Sequence, residues 1–276
     1  MTQEIEKLES IAKTIRKDII EMIYLAGSGH PGGSLSCADI LTTLFFGGIL
    51  NYDPANPTLK DRDRFILSKG HAAPALYATL AEAGYFDRRE LKTLRKLHSN
   101  LQGHPDMLKC PGIEVSTGSL GQGLSIASGL ALGLKKKNCE SSIFVLLGDG
   151  ECQEGQVWEA SMFASHNKLD NLVAIVDFNG LQIDGKVDDV MSLGNLSDKF
   201  SSFGWNVCEV CGHDIDALLE TLSGSKQSFK TLKKPTCIIA NTIKGKGVSF
   251  MENQASWHGK APNEEQFTCA MKELEF

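Results

Sequence analysis

The 276-residue sequence predicts an α/β fold in three layers, a central parallel sheet covered by helices on both faces. Two apolar runs carry much of this expectation: Ile143-Phe-Val-Leu-Leu147 and Leu172-Val-Ala-Ile-Val176. The stretch between them, roughly Gln153 to Lys168, reads as helix, and such a crossover makes the two strands parallel and brings their ends together. Each run also ends in polar, turn-forming residues, Gly148-Asp149-Gly150-Glu151 in one case and Asp177-Phe178-Asn179-Gly180-Leu181 in the other. Both clusters therefore fall at strand C-termini, the edge at which open parallel sheets bind ligands.

The elements follow in chain order. Ile5, Leu8, Ala12, Ile15, Ile19, Met22, Ile23 and Ala26 step by three and four, predicting an amphipathic opening helix of about twenty residues. Ser36 and Asp39 read as a capping box opening a second helix towards Leu50, with Ile40, Leu41, Leu44 and Phe45 buried. Residues 51 to 64 are expected to be loop, Phe65-Ile-Leu67 a short strand, and Ala73 to Ala83 a helix. From Gly121 to Lys137 the small residues Gly123, Ala127, Gly129, Ala131 and Gly133 suggest a closely packed helix, against the sheet or another subunit. Asn206 to Val210 and Thr236 to Ala240 complete the strands, with Asp214 capping the helix between them and Asn263 capping a short terminal one. No linker or internal repeat divides the chain, so residues 1–276 are expected to form one domain.

Composition narrows the function. A net charge of −6 argues against a nucleic-acid partner, since phosphate backbones are held by clustered Lys and Arg. The one basic run, Lys135-Lys136-Lys137, closes a helix where cations favour the dipole. The polar, acidic N-terminus is unlike a signal peptide, and no apolar run approaches the roughly 20 residues that span a bilayer, so a cytoplasmic protein without membrane attachment is expected. Its eight cysteines are then expected as thiols, Cys208 and Cys211 included.

The two strand-end clusters supply the carboxylate of Asp149, the amide oxygen of Asn179 and the backbone carbonyl of Leu181, a set suited to a hard cation such as magnesium. Gly150, lacking a side chain, leaves its amide open to a phosphate. Around them stand Ser28-Gly-His-Pro-Gly-Gly33, Ser68-Lys-Gly-His-Ala72, Gly103-His-Pro105, Ser116-Thr-Gly-Ser-Leu-Gly-Gln-Gly123 and Trp257-His-Gly-Lys260. In this order, with the Gly-Asp-Gly and the asparagine about thirty residues on, they resemble transketolase, and specifically the N-terminal subunit of a split transketolase, over nearly the whole chain. Two positions depart from the full-length pattern: Ser119 stands where a proline is usual, and Phe178 where an acid precedes the metal-binding asparagine.

The resemblance implies thiamine diphosphate held with Mg2+, or another divalent cation such as Ca2+ or Mn2+, in the fold that binds this cofactor. It implies that Leu120 and Ile183 pack on the cofactor rings, and that Gly118, Gly150, Glu151, Asn179, His71 and His258 contact the cofactor. His104 would bind the donor's terminal hydroxyl, and His30 would face the sugar oxygens. His258, with His71, would lie towards the diphosphate and the carbonyl oxygen. Imidazoles titrating near neutrality could pass protons there. Glu154 and Glu159, on the helix after the metal loop, would connect paired sites at a subunit boundary. His98, His166 and His213 match no motif and read as structural.

The implied reaction moves a two-carbon ketol unit from a ketose phosphate to an aldose phosphate, with the cofactor as electron sink. The glutamate on the pyrimidine ring and the arginines that hold sugar phosphate belong, in that family, to the following domain. A C-terminal partner subunit is therefore expected to supply them, in an α2β2 assembly, and the chain is expected to be inactive alone. The alternatives are a noncatalytic paralogue acting as a binding module and the α subunit of a 2-oxoacid dehydrogenase, which would not be expected to show Ser-Gly-His-Pro-Gly-Gly.

Overall fold

Successive buried side chains of the strands Ile143–Gly148, Leu172–Phe178 and Thr236–Asn241 divide between two apolar cores, one on either face of the main sheet. The computed structural model describes the backbone of residues 2–275 and the side chains of residues 3–226 and 232–275; Met1 and Phe276, the ends of the expected domain, lie outside the described residues. The elements in order are helices α1 (Thr2–Ala26), α2 (Pro31–Ser36) and α3 (Ala38–Phe46), strand β1 (Arg64–Leu67), α4 (Ala73–Glu82), α5 (Gln122–Lys136), β2 (Ile143–Gly148), α6 (Gly155–His166) and β3 (Leu172–Phe178). They continue with the two-residue strands β4 (Leu181–Gln182) and β5 (Gly185–Lys186), α7 (Val187–Met191), α8 (Leu196–Ser202), β6 (Asn206–Cys211), α9 (Ile215–Leu232), β7 (Thr236–Asn241) and α10 (Glu264–Glu273).

The main sheet is parallel throughout in the order β1-β2-β3-β7-β6. Register aligns Gly148 with Asp177 and Asp177 with Ala240, so β2, β3 and β7 end in one row. Phe144, Leu146, Val173, Ile175 and Ile238 face a core shared with Ile15, Ile19, Leu41, Leu76, Leu218 and Leu222 of the helices on that side. Their neighbours Val145, Leu147, Ala174, Val176 and Ile239 face Leu124, Ala127, Val157, Ala164 and Phe200 on the other. This period-two division between two covered faces is what makes the strands continuously apolar in sequence. Each fully buried aliphatic side chain contributes about 1.5–3 kcal/mol.

Most expected elements are present at nearly their expected bounds, and the differences have local causes. The capping box at Ser36 does not form. Gly-His-Pro-Gly-Gly instead starts the extra helix α2 with proline in its first turn, leaving Ser36 as its last residue. The Ser36 hydroxyl is taken by Asp177, and the Asp39 carboxylate by Arg16 and His213. Glu154 occupies the N-cap position just before α6. On α5 the small residues divide between two surroundings: Gly123, Ala127 and Ala131 are buried, whereas Gly129 and Gly133 face open space. The hairpin β4–β5 was not expected; its pairing spans only two residue pairs. No described helix is long and apolar enough to cross a membrane.

Candidate functional site

A cavity of about 340 Å³ opens where β2, β3 and β7 end, and the strand register explains which side chains reach it. Asp149 leaves β2 into a single 3₁₀ turn (Gly150–Gln153), and its carboxylate accepts from Gly150 N at 2.7 Å and Gly180 N at 2.5 Å. The second of these bonds ties the turn after β2 to the turn after β3, which carries Asn179 and Leu181. Asn179 donates to Asp177 at 3.4 Å and accepts from Leu181 N at 3.1 Å. The Leu181 carbonyl accepts from the Lys244 ammonium at 3.1 Å. Asp149, Asn179 and Leu181 thus line the same cavity. Burial, and then the charge of Asp177, raises the Asp149 carboxyl to about 6. A buried carboxylate beside an amide oxygen and a carbonyl fits a divalent cation, whose charge would offset that burial.

Gly150, expected to offer its amide to a phosphate, lines the cavity and donates its N–H to Asp149. A carboxylate one residue earlier captures the first unpaired N–H of the turn. Glu151, expected against the cofactor, lines the cavity and accepts from the Ser68 hydroxyl, from Gly121 N at 2.9 Å and from Gly148 N at 3.0 Å. It therefore fixes the Leu120-Gly121 turn relative to the end of β2. Leu120 and Ile183 stand 36% and 68% exposed at the cavity wall, two aliphatic surfaces without a covering partner among the described residues.

Three histidines from three separate turns converge. His30 stands at the N-cap position of α2 without a side-chain capping bond, His71 sits in the turn before α4, and His258 follows the Ala255–Trp257 turn. Their ring centroids lie 5.3 Å (His30–His71), 5.5 Å (His30–His258) and 5.1 Å (His71–His258) apart. The buried His30 Nδ1 has no hydrogen-bond partner among the described residues, so it is a polar atom suited to a ligand. Titration near neutrality, expected from the sequence, does not hold. Burial and Arg95 lower His30 to about 4, burial and Lys244 lower His258 to about 3, and burial and Lys69 hold His71 well below its ordinary value. Crowded cationic groups in a poorly hydrated pocket favour the neutral imidazole. His104 is exposed and stands against Gly118, where an added Cβ would lie 3.0 Å from the imidazole ring, and Gly118 has φ 144°. Glycine is required there by both contact and backbone.

Of the remaining candidates, Glu154 lines the cavity and packs on Gly121, whereas Glu159 is exposed on α6 away from it. His213 is tied to Asp39 at 2.7 Å, outside the cavity.

Sequence reasoning passed over Asp177, Lys69 and Lys244 as functional groups. Asp177 is fully buried and accepts from Lys69, Ser36 and Thr242, and the ammonium of Lys69 also donates to Gly33 O at 2.7 Å. Four separate segments meet on this one carboxylate. Although burial would raise it, Lys69 and the hydroxyls hold Asp177 below its ordinary value. Lys244 lies 2.9 Å from His258 Nδ1, and burial and then Lys69 lower it to about 8. A charged residue at the end of an otherwise apolar strand was the available signal for Asp177. Lys244 carries no such signal, because it follows β7 by three residues in a loop.

The sequence matches the family described as transketolase, thiamine diphosphate binding domain, over residues 7–276. An apulose-4-phosphate transketolase subunit of Phocaeicola vulgatus is 44% identical across 98% of this chain and 95% of its own. The 6-deoxy-6-sulfo-D-fructose transketolase subunit SqwG of a Clostridium species is 44% identical across 100% of this chain and 98% of its own. Among solved structures, transketolase from Campylobacter jejuni superposes with a TM-score of 0.90 at 36% identity, covering 98% of this chain and 43% of that one. A Pichia stipitis transketolase complexed with sedoheptulose-7-phosphate gives 0.91 at 32% identity, covering 98% and 41%. The chain thus spans about two fifths of the length of these solved transketolases.

Proposed function

The chain belongs to the transketolase family, whose thiamine diphosphate-binding domain it matches, and we propose that it is the diphosphate- and metal-holding subunit of a two-chain transketolase. The observation that carries the reading is the single cavity that gathers Asp149, Asn179 and the Leu181 carbonyl, the ammonium of Lys244, three neutral imidazoles and the bare aliphatic faces of Leu120 and Ile183. Thiamine diphosphate supplies the electron sink for cleaving and forming a carbon–carbon bond.

The chain's own residues do the rest. Asp149, Asn179 and Leu181 O would hold Mg2+ or a similar cation, and Lys244 offers an ammonium to the diphosphate the cation carries. Leu120 and Ile183 would gain cover from the cofactor rings and keep water from them. His30, His71 and His104, neutral at cellular pH, would offer ring N–H donors and lone pairs to sugar oxygens, and His258, whose Nδ1 accepts from Lys244, would offer its Nε2–H, which suits orientation and short proton movements. Glu154 at the cavity wall and Glu159 on the outer face of α6 are proposed at the boundary with a second copy. Residues 1–276 are read as one domain, because both apolar cores share the one sheet.

The partner is proposed to be a C-terminal transketolase subunit bearing the glutamate for the pyrimidine ring, in an α2β2 assembly in the cytoplasm. Two relatives are named for apulose-4-phosphate and 6-deoxy-6-sulfo-D-fructose, both anionic sugars, so the donor is proposed to be a ketose with a terminal phosphate or sulfonate. The test is to isolate the tagged chain with its bound partner and assay ketol transfer between such sugars. Activity should require thiamine diphosphate and Mg2+ and disappear in His104→Ala and Asp149→Ala. An assembled pair that binds cofactor yet transfers from no anionic ketose would overturn the reading in favour of a noncatalytic module.

A further inference from the structure

The loop after β7 presents Lys244 to the cavity with one side and is held on the other side by groups outside it. His213, in the turn between β6 and α9, accepts from Ile243 N on its Nε2 at 2.8 Å. That bond makes Nε2 the acceptor, so Nδ1 carries the proton and donates it to Asp39 at 2.7 Å. Asp39 on α3 is gripped by Arg16 of α1 through two bonds, at 2.9 and 2.5 Å, and Arg16 Nε donates to Lys246 O at 3.2 Å. Ile243 and Lys246 are thus fixed from outside, one on each side of Lys244, by a single closed set of hydrogen bonds. From within, Gly245 N donates to Gly32 O at 3.0 Å. The stem of Lys244 runs over Gly32, where an added Cβ would lie 3.0 Å from Lys244 Cγ. A lysine has four rotatable bonds, so its head reaches one place only if backbone and stem are both held.

We propose that His213, backed by Asp39 and Arg16, is a positioning residue that fixes the backbone at Ile243 and so directs the Lys244 ammonium to the diphosphate of the cofactor. This rests on the proposed cofactor site. The test uses two conservative replacements that separate the bonds of His213. In His213→Gln the amide reaches the place of Nε2 and can accept from Ile243 N, whereas in His213→Asn it reaches only the place of Nδ1 and Asp39. Calorimetric titration of the full chain, assembled with its partner subunit, with thiamine diphosphate and Mg2+ should show His213→Asn binding about tenfold more weakly and His213→Gln within about threefold of the parent. In a Lys244→Met background, itself weaker, His213→Asn should add nothing, because residues acting through one group are not additive. Equal losses in the two His213 variants, or a full additional loss in the Lys244→Met background, would overturn the proposal while leaving the cofactor site intact. A parent chain that binds no thiamine diphosphate even when assembled with its partner subunit would overturn the site and the proposal with it.

Discussion

Replacing Asp149 with Asn should stabilise the metal-free chain and abolish its stabilisation by metal and cofactor. The Asp149 carboxyl is raised from 3.8 to about 6, first by burial and then by Asp177. Those roughly two units, at about 1.4 kcal/mol each, correspond to about 3 kcal/mol of instability at neutral pH. Asparagine removes the charge but loses one of the bonds now made by Gly150 N and Gly180 N, which costs about 1–2 kcal/mol. The expected net gain is about 1–2 kcal/mol, or about 2–5 °C in Tm. The sign with pH is fixed by the direction of the shift. Between 3.8 and about 6 the folded parent keeps a proton that the unfolded chain has released, so its penalty is absent below that window, grows through it and is complete above. Urea denaturation of both proteins at about pH 7.5 and about pH 4, without divalent metal, reads this directly. With Mg2+ and thiamine diphosphate at about 100 times their Kd the parent gains about 2.7 kcal/mol and the order reverses. An Asp149→Asn chain less stable than the parent at about pH 7.5 without metal, or a difference that does not change with pH, would refute the reasoning.

Other outcomes follow from the same geometry. Lys69→Met strands the buried Asp177 carboxylate and should destabilise by about 3–5 kcal/mol in urea, with Asp177→Asn added to it recovering part of the loss. Leu120→Ala and Ile183→Ala, altering exposed side chains, should leave stability within about 0.5 kcal/mol while weakening thiamine diphosphate about tenfold each. Their affinity for Mg-pyrophosphate, which has no rings to cover, should not change. Proton NMR of the histidine rings in the metal-free chain should find His30 and His258 still neutral at about pH 6. Because the unfolded imidazole takes up its proton near 6.5 and the folded His30 only near 4, stability should fall as pH drops between those values. His30→Asn should lose part of that slope.

The periodicity of apolar residues made α1, the strands and their crossovers legible, because burial on one helical stripe or on both faces of a strand leaves a repeat in the sequence. The same applies to Asp149 and Asn179: a turn that directly ends a strand keeps its place in three dimensions close to its place in the chain. Ser36 and Asp39 do not form the expected cap for the opposite reason. Their positions suit a local cap, but partners 141 and 23 residues away capture them. Local pattern therefore gives which oxygen could cap a helix, while competition among distant partners decides which one does.

The sequence alone determined a parallel α/β sheet, the edge at which its cavity opens, and the residue types gathered there, since each of these rests on spacing along the chain. Only the tertiary structure decided the charge states and the supports. The neutrality of the histidines depends on their burial and then on Arg95, Lys69 and Lys244 being crowded around them, and the place of Lys244 depends on Arg16, Asp39 and His213 meeting behind its loop. Burial and charge act through space, and no spacing in the chain records how far apart groups more than two hundred residues distant in sequence will stand.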